Sequence, residues 1–500
     1  MDFKSPAHEP IAYSLPMPSP PTCLPAGGGL RLRAETRKKA NLVLPLLLAA
    51  VAVLPFLTAL GAGFVFDDEA DVAATAGASA SSLFARIPFM VRPVLKASYA
   101  LGVLLHGPSP TGFRTVNVAL HVASSVLLFL LARRWKLGDV AAFAGAALWA
   151  LHPLAAETVT YISGRSMGLS TTLALGAMWM VARDEAPSPA RAFGAGVLAF
   201  MAPLARETAL VLPLLIAWWE ATLSREISWR DRLRRHAPIL AGTLAAAGMI
   251  FAIPRHRELV AFSLAARAPL EALRGNVQAA GSMLGLWAFP WRISIDPAPP
   301  LEWGWTEGPT LMRLAALGLV GAWVVRMRRR APWPAFGAGW MLIAILPSNS
   351  IVWRLDPVGV RPLYLASLGP AWLACALIHA AQESPRKPKV WGRVALGGAL
   401  SISLALGAGL AKRNALYRSP IALWEDAARK APRSARARIN LGYAYLDEER
   451  LDEAEAALRA GLERAPWMRQ AECGLVAIRI RRDTLAQKRR EGRGEIYSSR

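Results

Sequence analysis

Cysteine is nearly absent. Cys23, Cys375 and Cys473 are scattered through 500 residues, and no two form a CxxC pair. Neither a zinc site nor a disulfide framework is indicated, and no metal site can be read from the sequence, so any cofactor is unknown. Acidic side chains are also scarce, with 35 Asp and Glu against 58 Lys and Arg and a net charge of +23. An excess of that size raises nucleic acid as a partner, but its distribution argues against one. The basic residues fall in short clusters between apolar runs: Arg31 to Lys39, Arg133 to Lys136, Arg230 to Arg235, Arg326 to Arg330 and Arg386 to Lys389. Cytoplasmic loops under the positive-inside rule have this pattern. No nucleic-acid partner is expected.

What the chain has in abundance is apolar sequence. Hydrophobic residues make up 54%, Trp occurs 18 times, and mean hydropathy is +0.30. These values point to a polytopic membrane protein, all-α because lipid leaves no partner for unpaired backbone groups. With the first basic cluster inside, spans are expected over 41–63, 115–132, 139–156, 167–182, 191–204, 207–222, 237–253, 311–325, 334–347, 364–381 and 391–411. The total of about eleven places the C-terminal region on the non-cytoplasmic side. Residues 254–310 are expected to form an outer loop with a re-entrant or interfacial helix, since Trp287, Trp291, Trp303 and Trp305 suit the headgroup level. Residues 1–40 are rich in Pro and Gly and end in a basic patch. They are expected to be a disordered cytoplasmic tail. A cleaved signal peptide is the alternative, since Ala62 and Gly63 are small, although this tail and apolar run are both long for one.

The C-terminal region differs in kind. Leu441, Gly442, Tyr445, Ala454, Leu458 and Pro466 fall at the offsets of a tetratricopeptide (TPR) repeat of about 34 residues. Gly461 stands where Ala is usual and Arg438 where Trp is usual. The expected organisation is a tail over 1–40, a membrane domain over 41–411, a short TPR-like helical domain over 412–481 and a basic disordered tail over 482–500.

Ionisable residues converge on one face of this topology. Asp67 and Asp68 follow the first apolar run directly, His152 and Glu157 close the third span, and Arg165 opens the fourth. Arg206 and Glu207 lie between the fifth and sixth, and Arg361 and Tyr364 precede the tenth. Charged groups at a membrane face are costly unless hydrated, paired or used. A carboxylate there can deprotonate a hydroxyl, and an arginine can hold a phosphate with paired hydrogen bonds. Each residue alone also fits a hydrated loop or an ion pair, such as Arg361 with Asp356 or Arg165 with Glu157.

Several of these residues lie in motifs. Phe66-Asp67-Asp68 after the first span is similar to the acidic motif of the GT-C membrane glycosyltransferases. Leu105-His106-Gly107-Pro108-Ser109-Pro110-Thr111-Gly112-Phe113-Arg114 with Asn117 and His121 resembles an outer-loop motif of the transmembrane and TPR-containing O-mannosyltransferases. So do Leu151-His152-Pro153 with Glu157 and Gly164-Arg165, then Arg206-Glu207-Thr208, then Leu346-Pro347-Ser348-Asn349 with Arg361 and Tyr364. The chain departs from that family in carrying Arg206 where Lys is usual, Val360 where an acidic residue is usual, and fewer repeats.

The resemblance implies inverting transfer of a sugar, mannose or a related hexose, from a polyprenyl- or dolichyl-phosphate donor to a hydroxyl of a polypeptide acceptor. Asp67 or Asp68 would be the base. Arg165 and Arg361 would bind the phosphate, and His152, Glu157, Glu207 and Tyr364 would support the substrates. The TPR segment would bind the acceptor or a partner. The protein would sit in the inner or plasma membrane of a bacterium or in the endoplasmic reticulum of a eukaryote. A polytopic transporter or a non-catalytic TPR scaffold are the competing classes. A transporter would show inverted repeats, and a scaffold would not need acids and arginines together on one side.

Overall fold

A computed structural model of the protein describes residues 42–70, 72, 85–182, 187–224, 228–298, 304–349, 358–385 and 387–498. The tail expected over 1–40 lies outside the described residues. Met1–Leu44 and Pro45–Arg500 are separate units, and the helical architecture is that of the second.

The described residues are helical, with no strand among them. In chain order they form α1 (Leu42–Thr58), α2 (Pro93–His106), α3 (Pro110–Arg134), α4 (Asp139–Ala150), α5 (Arg165–Val181) and α6 (Pro189–Ala205). Next come α7 (Leu212–Leu223), α8 (Trp229–Ala252), α9 (Pro254–Ala266), α10 (Pro269–Ala288), α11 (Gly308–Met327) and α12 (Pro332–Ile345). The last six are α13 (Leu368–Gln382), α14 (Pro388–Leu416), α15 (Pro420–Lys430), α16 (Ala435–Asp447), α17 (Leu451–Arg464) and α18 (Arg469–Ser498). Proline occupies the first turn of α2, α3, α6, α9, α10, α12, α14 and α15. It is tolerated there because that N–H has no intrahelical partner. Ser109, Ser419 and Ser434 cap α3, α15 and α16 by accepting from N–H groups three residues on.

Four helical stretches are long and apolar enough to cross a membrane: Pro110–Arg134, Gly308–Met327, Pro362–Gln382 and Lys389–Leu416. The number reaches six if the bent pairs Asp139–Ala150 with Pro153–Val159 (52°) and Trp229–Ala252 with Pro254–Ala266 (81°) each count as one span. The sequence suggested about eleven by apolar runs alone. The difference lies in length. α4 and α7 have 12 residues and α12 has 14, whereas a hydrocarbon core needs about 20. The apolar windows of α11 and α14 are only 11% and 17% buried by protein. An apolar helix left uncovered on most sides belongs in lipid.

The centre of the membrane part is packed from α3, α4, α5, α12 and α13. Trp340 and Trp372 meet there edge to face at 4.9 Å. α15 to α18 pack each on the next. Trp424, Leu441 and Ala457 share one small core, and Ile439, Leu458 and Ile478 share another. Gly461 is explained by space, because a Cβ there would stand 2.6 Å from Ile439 Cγ1. Two boundaries differ from expectation. The membrane helix α14 continues past 411 to Leu416. The segment from 482, expected to be disordered, continues α18 to Ser498. Its first residues include the helix formers Leu485, Ala486, Gln487 and Lys488, and Arg481 and Arg482 anchor its start to Glu449, Asp452 and Glu455.

Candidate active site

The turn that follows α1 presents the two acids in opposite ways. Phe66 lies at φ 54°, a left-handed conformation costly for a bulky side chain. Asp68 holds the turn closed. Its backbone N–H donates to Val65 O at 3.1 Å, and its Oδ2 accepts from Val65 N at 3.3 Å. Oδ1 accepts from Ser163 N at 2.8 Å. Asp68 is fully buried. Burial pushes its carboxyl up to about 6, against the opposing pull of these N–H groups and of Arg114. Asp67, one residue earlier, is exposed, and its Oδ2 accepts from Tyr161 Oη at 3.2 Å. The structure therefore separates the pair into a clamp, Asp68, and a presented carboxylate, Asp67.

The motif residues of α3 and α5 build the support. Arg114 Nε donates to Thr160 O at 2.9 Å, and its terminal nitrogens donate to Ala62 O and Gly63 O. Asn117 Nδ2 donates to Val159 O at 3.1 Å, and Oδ1 accepts from Arg165 Nε at 2.7 Å. Arg165 spends its other nitrogens on Ser98 O at 3.1 Å and Phe113 O at 2.9 Å, with its guanidinium against the rings of Tyr99 and Phe113. It is fully buried. Gly164 lets the chain fold back, because a Cβ there would stand 2.4 Å from Glu157 O. Together these contacts fix residues 156–164, which carry Glu157 and Tyr161.

A cavity of about 230 Å³ opens against this segment. Asp67, Glu157, Arg206, Arg361 and Arg436 line it, with Ser294, Ile295, Pro297, Val358, Gly359, Val360 and Pro362. The Arg361 guanidinium lies over the Tyr161 ring at 4.9 Å. Tyr161 thus touches the acid with its hydroxyl and the base with its face. Arg206 Nη1 donates to Ser166 Oγ at 3.3 Å. Among the described residues no carboxylate pairs with Arg361; Asp356, its alternative partner by sequence, lies outside them. Glu157 does not pair with Arg165. Its Oε1 accepts from Arg413 Nη2 at 2.7 Å. Arg413 also reaches Asp426 Oδ2 at 2.8 Å, and Lys430 reaches the same oxygen at 2.9 Å. Glu157, Arg413 and Asp426 are all buried. Glu157 is thereby held as a wall of the cavity.

The remaining sequence-derived residues lie elsewhere. His152 Nδ1 accepts from Leu154 N at 3.2 Å, so Nε2 carries the proton toward Trp287 O at 3.2 Å. That is a cap and a loop tie. Tyr364 is buried, with its hydroxyl 2.8 Å from His121 Nδ1 and its ring against Trp149. Glu207 is paired with Arg92 Nε at 2.9 and 3.1 Å. His152, Arg165, Glu207 and Tyr364 therefore do not join Asp67, Glu157 and Arg361 at the cavity. The phosphate-binding expectation for Arg165 and the substrate expectation for the other three meet side chains already committed to protein partners. Tyr161, Arg413, Asp426, Asp296 and Arg436 were not singled out by sequence. Arg413-Asn414 did carry a signal, a charge and an amide closing an apolar run. Among the described residues no three metal-ligating side chains converge. The chemistry within reach of the cavity is proton acceptance by an exposed carboxylate beside cationic groups suited to an anion.

No family model matches the chain, and no solved structure does. Curated proteins do. Protein O-mannosyl-transferase Tmtc1 of Drosophila melanogaster is 31% identical over 133 residues, covering 24% of this chain and 16% of its own length. Protein O-mannosyl-transferase F38B6.6 of Caenorhabditis elegans is 28% identical over 153 residues, 27% of this chain and 22% of its own. Protein O-mannosyl-transferase Tmtc2 of Drosophila melanogaster is 32% identical over 154 residues, 27% and 16% respectively. The matched stretches span 16 to 22% of the length of these relatives. They agree with the resemblance carried by the motifs: over these stretches the chain is similar to proteins named protein O-mannosyl-transferases.

Proposed function

We propose that the protein is a membrane glycosyltransferase. It moves a hexose from a polyprenyl- or dolichyl-phosphate donor to a hydroxyl of a polypeptide, on the non-cytoplasmic face. The observation that carries this reading is the shared cavity of Asp67 and Arg361, joined through Tyr161. The acceptor oxygen attacks the anomeric carbon opposite the phosphate, and Asp67 takes the hydroxyl proton. The bond from that carbon to the phosphate oxygen breaks, and the electron pair leaves with the phosphate. Arg361, with Arg206, offsets the charge that develops there. Asp68, Arg114, Asn117 and Arg165 keep the acid turn and residues 156–164 in register.

On this reading the shorter apolar helices also enter the bilayer without each crossing it alone. α15 to α18 are a TPR-like unit. Their packing supports its placement beside Asp67, since Phe66 meets Trp424 edge to face at 5.4 Å. The printed names of the relatives favour mannose and a protein acceptor.

The test uses membranes containing the full chain and radiolabelled polyprenyl- and dolichyl-phosphate hexoses. Wild type transfers label to polypeptide. Arg361→Ala raises the donor KM about tenfold to a hundredfold, the worth of a charge-assisted hydrogen bond. Arg361→Lys shows a smaller rise, because it keeps charge and loses the planar fork. A wild-type protein inert with every such donor, or an Arg361→Ala variant of normal KM and normal kcat, overturns the assignment.

A further inference from the structure

The C-terminal helices are not a separate appendage. Asp296, in the loop after α10, is almost fully buried. Its Oδ2 accepts from Ser434 Oγ at 2.5 Å, and its Oδ1 accepts from Arg436 Nε at 3.1 Å and also from Arg436 Nη2. Ser434 and Arg436 belong to the start of α16. Lys430, at the end of α15, donates to Ile293 O at 2.8 Å. The loop so gripped supplies Ser294, Ile295 and Pro297 to the wall of the Asp67 cavity, and Arg436 itself completes that wall. Elsewhere on the same lining, Glu157 is held by Arg413, which is held in turn by Asp426 of α15. Two parts of one lining are therefore fixed from the same pair of helices.

From this juxtaposition we infer that Arg436 is a positioning residue for sugar transfer: through Asp296 it sets the 293–297 loop as one wall of the donor–acceptor cavity. The inference rests on the proposed function. It changes what the C-terminal segment is for. A segment that only captured acceptor could be removed without touching the donor. A segment that builds the wall cannot. The geometry also makes Arg436 and Asp296 act as one unit. Losing either frees the same loop, so losing both should cost little more than losing one.

The experiment has two arms in the full-length protein. In the kinetic arm, Arg436→Ala and Asp296→Ala each raise the donor KM about tenfold with kcat within a factor of about three, and the double variant matches either single one. In the structural arm, Ser294→Cys is placed in a Cys23→Ser, Cys473→Ser background. Ser294 is 1% exposed. Its thiol should resist a soluble reagent while Arg436 is present and react at least about tenfold faster with Arg436→Ala, as local opening governs access. If Arg436→Ala does not accumulate, Asp296→Asn carries both readouts from the loop side. Unchanged KM and unchanged thiol reactivity overturn the inference, as do effects that multiply in the double variant. An inactive wild type would sink the proposed function instead and leave the thiol arm to decide the positioning.

Discussion

The two adjacent acids should respond to pH and to substitution in opposite ways. Asp68 is fully buried, and its carboxyl sits at about 6 rather than the ordinary 3.8. The folded protein therefore holds this proton through a range where the unfolded chain has released it. Between pH 3.8 and about 6 the native state binds more protons, so stability falls as pH rises across that window. The gap is worth about 3 kcal/mol, fully lost above pH 6. Asp68→Asn cannot titrate. Its thermal midpoint in detergent should lack the decline that wild type shows between pH 4 and 7. It keeps one acceptor for Ser163 N but opposes an amide N–H₂ to Val65 N, at a cost of about 1–3 kcal/mol at low pH. Asp67→Asn should leave the midpoint unchanged at every pH, because the side chain is exposed. It should instead slow hexose transfer by about 10²–10⁴. The assay is a thermal melt of purified wild type and both variants from pH 4 to 7.5, with transfer rates on the same samples. Parallel melting profiles for wild type and Asp68→Asn would refute the buried-clamp reasoning. An Asp67→Asn variant of near normal rate would remove Asp67 as the base.

Arg413→Ala should destabilise by about 3–5 kcal/mol, because it strands the buried Glu157 carboxylate, while Asp426 keeps Lys430; proteolytic nicking near residue 418 should rise with it, and a stability loss under about 1 kcal/mol would refute the network. Cys473 is exposed and Cys375 is buried, so a membrane-impermeant thiol reagent added to intact cells should label Cys473 and spare Cys375. Labelling of Cys473 only after permeabilisation would put α15 to α18, and with them Asp67, on the cytoplasmic side.

Part of the cavity lining stood out in the sequence because charge is conspicuous beside apolar runs. Asp67 and Arg361 were found that way, and they share the cavity. The same signal could not separate a residue that meets substrate from one that holds the residues that do. Arg165 carries the same motif weight as Arg361, yet its guanidinium is spent on Asn117 Oδ1 and two backbone carbonyls. His152 and Tyr364 are clamps of the same kind. What sequence missed was pairing at long range. Glu157 and Arg413 lie 256 residues apart, and Asp296 and Arg436 lie 140 apart. No local period connects them. The all-helical class was legible from composition, whereas the number of spans was not, because an apolar run does not disclose where a helix bends.

The order in which the chain is made bears on the contact of α14 with α1. Asn414 Nδ2 donates to Pro55 O across 359 residues. Nascent chains lengthen by about 5–20 residues per second, so α1 waits roughly twenty to seventy seconds for this partner. During that interval the acid turn exists without Trp424 above it or Arg413 behind Glu157. Whatever shields those carboxylates in the newborn protein cannot be the protein's own final helices, and a stalled or shortened chain would carry the motif without a finished cavity. The cavity is thus complete only once α14, α15 and the start of α16 have arrived.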